Sequence, residues 1–529
     1  MGQTGRNGPG PSRACPAWCG AKTDTRLVPP SEGNEVRREG RQEVGASNST
    51  VEAGESRPAG DPVEGRRCRM MESMKGHTPS ASTFENVSTK QHRIARLAGQ
   101  SPQMSFTALA HHIDLEWLQV AYHRVSKDGA PGVDEETAAS YSANLMENLQ
   151  SLLDRAKSGR YKAPPVLRVH IPKGGGKTRP IGIPTFEDKI LQRAVSMVLE
   201  PVYEQDFLDC SHGFRPGRSA HQALESFWQQ RKAMRAGWVV EVDIQGFFDA
   251  LDHARLRSFL KQRVRDGVLI RLIGKWLNAG VLEAGCLHRS PSGTPQGGVI
   301  SPLLANVYLH YVLDAWFEQV VKSRLIGRAF LVRFADDFII GFTDEQDARR
   351  VRDVLPKRFG QYGLTVHPEK TRLVRFDQPN RSGDPPRGGK PETFDFLGFT
   401  HYWGRSWRGY WVVKRKTASD RLSRSLRTVS VWCRRNRHLP VREQHAQLVR
   451  KMRGHYAYYG ITGNGSSLTQ YWEGVKRRWK KWLGRRSQRA YFDWPAFVRL
   501  MERYPLPTPI VVHSVYRQQR THDSRSRMR

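Results

Sequence analysis

The chain has 529 residues, 38% of them hydrophobic and 26% charged, which is enough for several domains with sizeable cores. Its formal net charge of +34, from 85 Lys+Arg against 51 Asp+Glu, points to a polyanionic partner, with nucleic acid first among candidates. Six scattered cysteines, no apolar run of about 18 residues and no apolar leader stretch argue against a disulfide scaffold, a membrane span and a secretory signal.

Residues 1–85 are rich in Gly, Pro, Ser, Arg and Glu and lack hydrophobic periodicity, so they are expected to form a disordered extension. Globular signals begin near Phe106. LEWLQVAYHRV (115–125) has helical periodicity, and KDGAPGVD (127–134) is a turn cluster. VLRVHIPK (166–173) alternates like a strand, KGGGKTRP turns, and DKILQRAVSMVLEPVY is helical. The strand-like WVVEVDIQGFFD follows, then amphipathic helices from His253 to Ala279. The loop SGTPQGGVISP precedes the helix-like LLANVYLHYVLDAWF, and LVRFADDFIIGF (331–342) reads as strand, tight acidic turn, strand. Beyond Thr400 the chain is expected to turn helical and basic, with 30 Lys+Arg against 6 Asp+Glu from His401 onward. Trp403, Trp407, Trp411, Trp472, Trp479 and Trp482 are interleaved there, a composition that suits splayed nucleic acid. The helical spacing of Trp472, Trp479 and Trp482 predicts packing rather than base stacking.

Two adjacent carboxylates, Asp336 and Asp337, at a hairpin tip repel by roughly 4 kcal/mol at 4 Å and an effective dielectric of about 20. A cation there relieves them, unless the pair simply faces water. The apolar flanks, and a third acid, Asp243, at the end of another strand-like run, favour a cation site. Three carboxylates on two strand ends can hold two divalent ions, the arrangement used for in-line phosphoryl transfer. Around the glycines of IPKGGGKTRP, Lys173, Lys177 and Arg179 can clamp a triphosphate, although the same residues also read as a solvated turn. It is not a Walker-type loop. Gln296 and Gly297 sit where backbone can lie flat against a ligand. Phe248 is placed to press on a sugar and exclude a 2′-hydroxyl. Lys370 in HPEKT is either a proton donor to leaving pyrophosphate or a surface lysine.

The order of these segments resembles the reverse transcriptase blocks of bacterial group II intron-encoded proteins. The resemblance rests on YHRVSKDGAPGVD, RVHIPKGGGKTRPIGIP, FLDCSHGFRPGRSAHQAL, VVEVDIQGFFDALDH, GTPQGGVISPLLANVYLHYVLD, RFADDFIIGF, LTVHPEKTRLV and FDFLGF, from Tyr122 to about Phe399. It implies an α+β right-hand polymerase, with fingers and a palm built on a small antiparallel sheet, followed by an all-helical thumb and maturase domain. The implied domains are 86–405 for fingers and palm and 406–490 for thumb and maturase domain X, with 491–529 a basic tail. By motif, Asp243, Asp336 and Asp337 would ligate two Mg²⁺ ions. Lys173 and Arg179 would hold the triphosphate, and Phe248, Gln296 and Gly297 would shape the nucleotide pocket. Phe334 departs from the tyrosine common in the family, keeping the ring and losing a hydroxyl. The stretch LVRKMRGHYAYYGITGNGSSLTQYWEGVKRRWKKWLGRR resembles domain X, where Arg477, Arg478, Lys480 and Lys481 would bind RNA. The paired cysteines and His-Asn-His site of the family's optional endonuclease have no counterpart.

The implied function is RNA-directed DNA synthesis together with maturase-assisted splicing. Its partners would be intron RNA, a DNA target and primer, and dNTPs, with no membrane and a bacterial cytoplasmic, nucleoid-associated location. A splicing-only maturase and a reverse transcriptase recruited to host defence are the alternatives.

Overall fold

The structure, a computed structural model, describes residues 80–174, 177–283, 285–288, 292–294, 297–379, 391–487 and 492–514. Of the segment expected to be disordered, residues 1–79 lie outside the described residues. Helix α1 (Ala81–Gln100) starts before residue 85, so that expected boundary comes too late. The Ser80 hydroxyl caps the helix by accepting from the Thr83 amide, and Val87, Ile94 and Ala98 form a narrow buried stripe. Polar residues occupy most other positions, so hydrophobic periodicity is weak there.

Helices α1 and α2 (Leu115–Arg124) pack on α5 (Phe186–Tyr203), and α3 (Ala138–Ala143) and α4 (Leu145–Lys157) follow α2. The Trp117 indole donates to the Ala194 carbonyl at 2.9 Å and ties α2 to α5. Strands β1 (Val166–Gly174) and β2 (Lys177–Ile183) form an antiparallel hairpin in which Ile171 pairs with Arg179. Short strands β5 (Val281–Glu283) and β6 (Cys286–His288) extend that sheet.

The central sheet has the order β10-β3-β8-β7, built from β3 (Trp238–Val242), β7 (Ala329–Phe334), β8 (Asp337–Phe342) and β10 (Arg372–Arg375). All neighbours are antiparallel. Residues two apart share a face. Val240, Val242, Leu331, Phe338 and Ile340 join a core with α5, α8 (His253–Arg263), α9 (Gly267–Leu277), α10 (Ser301–Leu309) and α11 (Glu345–Gly360). Val239, Phe330, Val332, Ile339 and Val374 join a second core with α6 (Ala220–Met234) and a third sheet. Because both faces are covered, these strands read as near-continuous apolar runs rather than alternating ones. Between β3 and α8 the chain forms β4 (Ile244–Gln245), paired with β9 (Thr365–Val366), and the single turn α7 (Phe247–Ala250).

The third sheet comprises β11 (Phe394–Phe396), β12 (Phe399–Arg405) and β13 (Trp411–Thr417). The expected limit at 405/406 therefore falls inside the β12–β13 hairpin, and helix resumes at α12 (Ser419–Arg435) rather than at Thr400. Helices α12, α13 (Val441–Tyr459), α14 (Gly465–Leu483) and α15 (Trp494–Arg503) share their own core. Trp479 is fully buried there and donates to Gln444 Oε1 at 3.1 Å, while Trp472 and Trp482 lie half-buried at its margin. Helix α15 lies in the segment 491–529 read as a tail, and its Phe497 is buried in that core. The Asp493 cap and the short apolar stripe of WPAFVRLMER explain the order, and residues 515–529 lie outside the described residues. No described helix is long and apolar enough to cross a membrane.

Candidate active site

The acidic tip is a two-residue loop, Ala335–Asp336, closed by the pair Phe334 and Asp337 at the ends of β7 and β8. Ala335 adopts φ 57°, a left-handed conformation that costs a non-glycine residue roughly 1–2 kcal/mol. The surroundings hold it there. Gly213 lies against the turn so closely that a Cβ on it would stand 2.3 Å from the Ala335 nitrogen. Beneath the turn is Arg333, fully buried, with all five guanidinium protons placed. It donates to both Asp314 carboxylate oxygens at 2.8 and 2.5 Å, and to the Ala335 carbonyl at 3.1 Å. It also donates to Asn306 Oδ1 at 2.9 Å and Ser211 Oγ at 2.8 Å. Asn306 in turn donates to the Gly213 carbonyl at 2.7 Å. One buried ion pair thus grips both the turn and the segment packed against it.

Asp243 follows the last residue of β3. The register pairs Val242 with Phe338, so the next step places Asp243 beside Asp337. The Asp243 carbonyl accepts from the His367 amide at 2.8 Å, which bends the chain from β3 into β4. Its carboxylate Oδ2 accepts from Lys370 Nζ at 2.8 Å. Crowding by surrounding protein pushes the Asp337 carboxyl up to about 7, and the negative charges of Asp336 and Asp243 act in the same direction. Arg421 at the start of α12 and Arg179 on β2 oppose that shift. Asp337 is exposed at the tip, where water eases its burial and the neighbouring like charges remain. The structure therefore brings together Asp243, Asp336, Asp337, Arg179 and Lys370 from well-separated parts of the sequence.

The glycine loop lies against two elements of the site. Gly297, at φ 122°, packs on β2, where a Cβ would come 2.4 Å from the Gly182 carbonyl oxygen. Its bareness permits close contact with the strand carrying Arg179. At the other end of the loop the Thr294 amide donates to the Phe248 carbonyl at 2.7 Å, and the Gly293 amide to that of Leu251 at 2.8 Å. The loop thus ties β2 to α7, where Phe248 sits half-buried with its ring 5.3 Å from that of Phe247. Gln296 and the Lys173 side chain lie outside the described residues.

Arg477 and Lys481 are exposed on α14. Arg478 donates to the Gly474 carbonyl at 3.0 Å and Lys480 to that of Phe492 at 3.0 Å, so these two also serve the bundle. Sequence reasoning missed Arg333, Asp314, Asn306, Gly213 and Arg421. The available signal was a lone polar residue in an apolar run, as with Arg333 in LVRFADD and Asp314 in HYVLDAWF.

Among the described residues, no three acidic, histidine or cysteine side chains are grouped so that they could hold a metal ion as they stand. The donor set nevertheless fits a hard divalent cation: it is all carboxylate, it is crowded by like charge, and an ammonium already lies on Asp243.

Residues 171–401, which include every one of these acids, match the family described as reverse transcriptase (RNA-dependent DNA polymerase). Protein YkfC of Escherichia coli (strain K12) is 38% identical over 251 residues, covering 46% of this chain and 65% of YkfC. Group II intron-encoded protein LtrA of Lactococcus lactis subsp. cremoris is 42% identical over 235 residues, covering 43% of this chain and 38% of LtrA. Nuclear intron maturase 2, mitochondrial, of Arabidopsis thaliana is 27% identical over 279 residues, covering 42% of this chain and 37% of that protein. The matches thus span less than two thirds of the length of each of these relatives. Reverse transcriptases as a class use divalent metal ions, and residues 171–401 are similar to that family and to a group II intron-encoded protein.

Proposed function

We propose that the chain is an RNA-directed DNA polymerase and group II intron maturase that binds its intron RNA, promotes splicing and copies the RNA into DNA. The observation that carries the polymerase reading is the meeting of Asp243, Asp336 and Asp337 at one sheet end, with Arg179 and Lys370 facing them. In this reading β1–β2 belong to the fingers, the central sheet is the palm, and α12–α15 form the thumb and maturase domain.

Asp243, Asp336 and Asp337 would hold two Mg²⁺ ions, which supply charge stabilisation for attack of a primer 3′-hydroxyl on the α-phosphate of a dNTP. Arg179 takes the triphosphate, for which its position against Asp337 suits it. Phe248 presses on the sugar and leaves no room for a 2′-hydroxyl. Lys370, on leaving Asp243, delivers a proton to the departing pyrophosphate. The Arg333 network keeps the turn from drifting, and a misplacement of about 1 Å at such a site can cost roughly 100-fold in rate. Arg477, Arg478, Lys480 and Lys481 contribute phosphate contacts to intron RNA.

The test is primer extension on an RNA template by purified Asp243→Ala and Asp336→Ala chains. Each is expected to lose extension while keeping intron RNA affinity. Extension at parental rate by either variant would overturn the site.

A further inference from the structure

Among the described residues, the most exposed aromatic side chains lie on the third sheet. Strands β12 and β13 run in register to the pair Arg405 and Trp411, and the tip between them presents Trp407 at 95% exposure and Tyr410 at 64%. The tip has a defined shape. The Ser406 amide donates to the Tyr410 carbonyl at 2.7 Å, and the Tyr410 amide donates back to Ser406 Oγ at 3.0 Å. Arg405 Nη1 donates to the Gly409 carbonyl at 2.9 Å, and Gly409 takes φ 79°.

Burying an aromatic side chain is worth roughly 1.5–3 kcal/mol, and the fold forgoes that gain at Trp407. The surrounding charge says what would cover it. From residue 397 to 419 the chain carries Arg405, Arg408, Lys414 and Lys416, together with Arg415 buried 4.0 Å from Glu225, and no Asp or Glu. The Arg405 guanidinium lies 4.6 Å from the Trp411 ring, and Lys416 Nζ lies 5.4 Å from the Tyr402 ring. Flat faces flanked by cations with no carboxylate among them match a polyanion that also offers flat faces.

We propose that the β12–β13 tip is a stacking element for single-stranded nucleic acid, with splayed bases on Trp407 and Tyr410 and neighbouring phosphates on Arg405 and Arg408. A duplex keeps its bases stacked on each other and offers an indole nothing comparable, so the single strand is the fitting partner. The root of the hairpin stands at Gly398, where a Cβ would come 3.7 Å from Arg421 Cγ, and Arg421 acts electrostatically on Asp337. The seven residues of β12 separate root from tip, about 23 Å at ~3.3 Å per residue. The element therefore reaches template or intron RNA outside the catalytic centre. This role in copying rests on the polymerase reading above, whereas the binding itself does not.

The experiment uses the full chain with Trp407→Ala/Tyr410→Ala, Trp407→Phe and Arg405→Ala/Arg408→Ala. Binding is measured to a fluorescent 20-nucleotide single-stranded RNA, to its duplex and to anionic phospholipid vesicles. The aromatic double variant should bind single-stranded RNA roughly five- to 150-fold more weakly for each base that no longer stacks, with an unchanged salt slope. Duplex affinity should stay within about two-fold of the parent, and Trp407→Phe should recover most of the loss. The arginine variant should flatten the salt slope by about 0.7 for each phosphate it no longer neutralises. Single-stranded affinity within two-fold of parent for the aromatic variant would overturn the proposal, as would equal losses for duplex. Loss of vesicle binding with RNA affinity intact would assign the tip to a membrane surface and also overturn it. A parent chain that fails to extend primers yet loses RNA affinity on Trp407→Ala/Tyr410→Ala would refute the polymerase reading and leave the stacking element standing.

Discussion

Replacing Arg333 by methionine tests the idea that one buried ion pair shapes the catalytic turn. Arg333 and Asp314 have no exposed side-chain surface, so the single variant strands a carboxylate in the core. Breaking a buried pair on one side costs about 3–5 kcal/mol. The Ala335 carbonyl, Ser211 hydroxyl and Asn306 Oδ1 lose a donor as well, at roughly 1 kcal/mol each. The sum approaches the whole stability of an ordinary domain, about 5–15 kcal/mol. Arg333→Met/Asp314→Leu removes both charges and should recover at least about 3 kcal/mol of the loss, because no ion is left unpaired. The double variant still lacks the bond to Ala335, whose left-handed conformation then has less to hold it. We therefore expect a folded protein whose kcat for primer extension falls tenfold or more with KM for dNTP little changed. Urea midpoints give the first quantity and steady-state extension the second. An Arg333→Met chain within about 1 kcal/mol of parent would refute the reasoning on stability, and full kcat in the double variant would refute it on positioning.

Phe248→Ala should raise ribonucleotide incorporation relative to dNTP at similar stability, since the ring is only half-buried; an unchanged ratio places sugar selection elsewhere. Replacing Arg477, Arg478, Lys480 and Lys481 together by alanine should weaken intron RNA binding, flatten its salt dependence and impair splicing more than extension of a generic primer–template. Equal loss of both activities would indicate one shared RNA surface. Burial holds His401 neutral down to about 3, and His212 and His455 down to about 4, whereas unfolded histidine titrates near ~6.5. Below about pH 6.5 the unfolded chain thus binds up to three more protons at these sites. Asp337 and the buried Asp188, both raised to about 7, work in the opposite direction over the same range by taking protons in the folded state. The three histidines outnumber the two acids, so the metal-free chain should lose some stability as pH falls from 6.5 towards 4. His401→Phe, which fits beside Phe394 and Phe227, should reduce that slope by up to about 1.4 kcal/mol per pH unit, and an unchanged slope counts against it.

The acids and the strands that bear them were legible because an apolar β-rich run interrupted by two aspartates leaves few alternatives. The matching register of Val242 and Phe338 then makes Asp243 a neighbour of Asp337 without any further device. The hairpin of β12 and β13 was not legible. Its Gly, Trp and Arg content reads as basic and aromatic rather than as alternation, because one end is covered by the second core and the tip is bare. Helix α1 and helix α15 escaped because each buries little, four residues in the first and Phe497 alone in the second, among charges. The Gly297 loop was legible only in part. Glycine signals that something comes close, and sequence does not say that the backbone of β2 packs there. The Arg333 network is long-range, joining residues 211, 306, 314, 333 and 335, and no local pattern announces it.

The charges around the acid centre give the site its logic. Asp243 carries Lys370, and Asp337 feels Arg179 from β2 and Arg421 from α12. These three cations come from the segment after β9, the glycine hairpin and the first helix of the C-terminal bundle, so separate parts of the chain neutralise one small group of carboxylates. In the proposed function two of them would also serve the substrates: a triphosphate would call on Arg179 and pyrophosphate on Lys370. Substrate binding is then an exchange of partners rather than a simple addition. As the cations turn to phosphate, the carboxylates lose their internal counter-charges and their affinity for divalent cations rises. By linkage the converse holds as well: a divalent cation on the carboxylates frees Arg179 and Lys370 for phosphate, so each ligand strengthens the binding of the other.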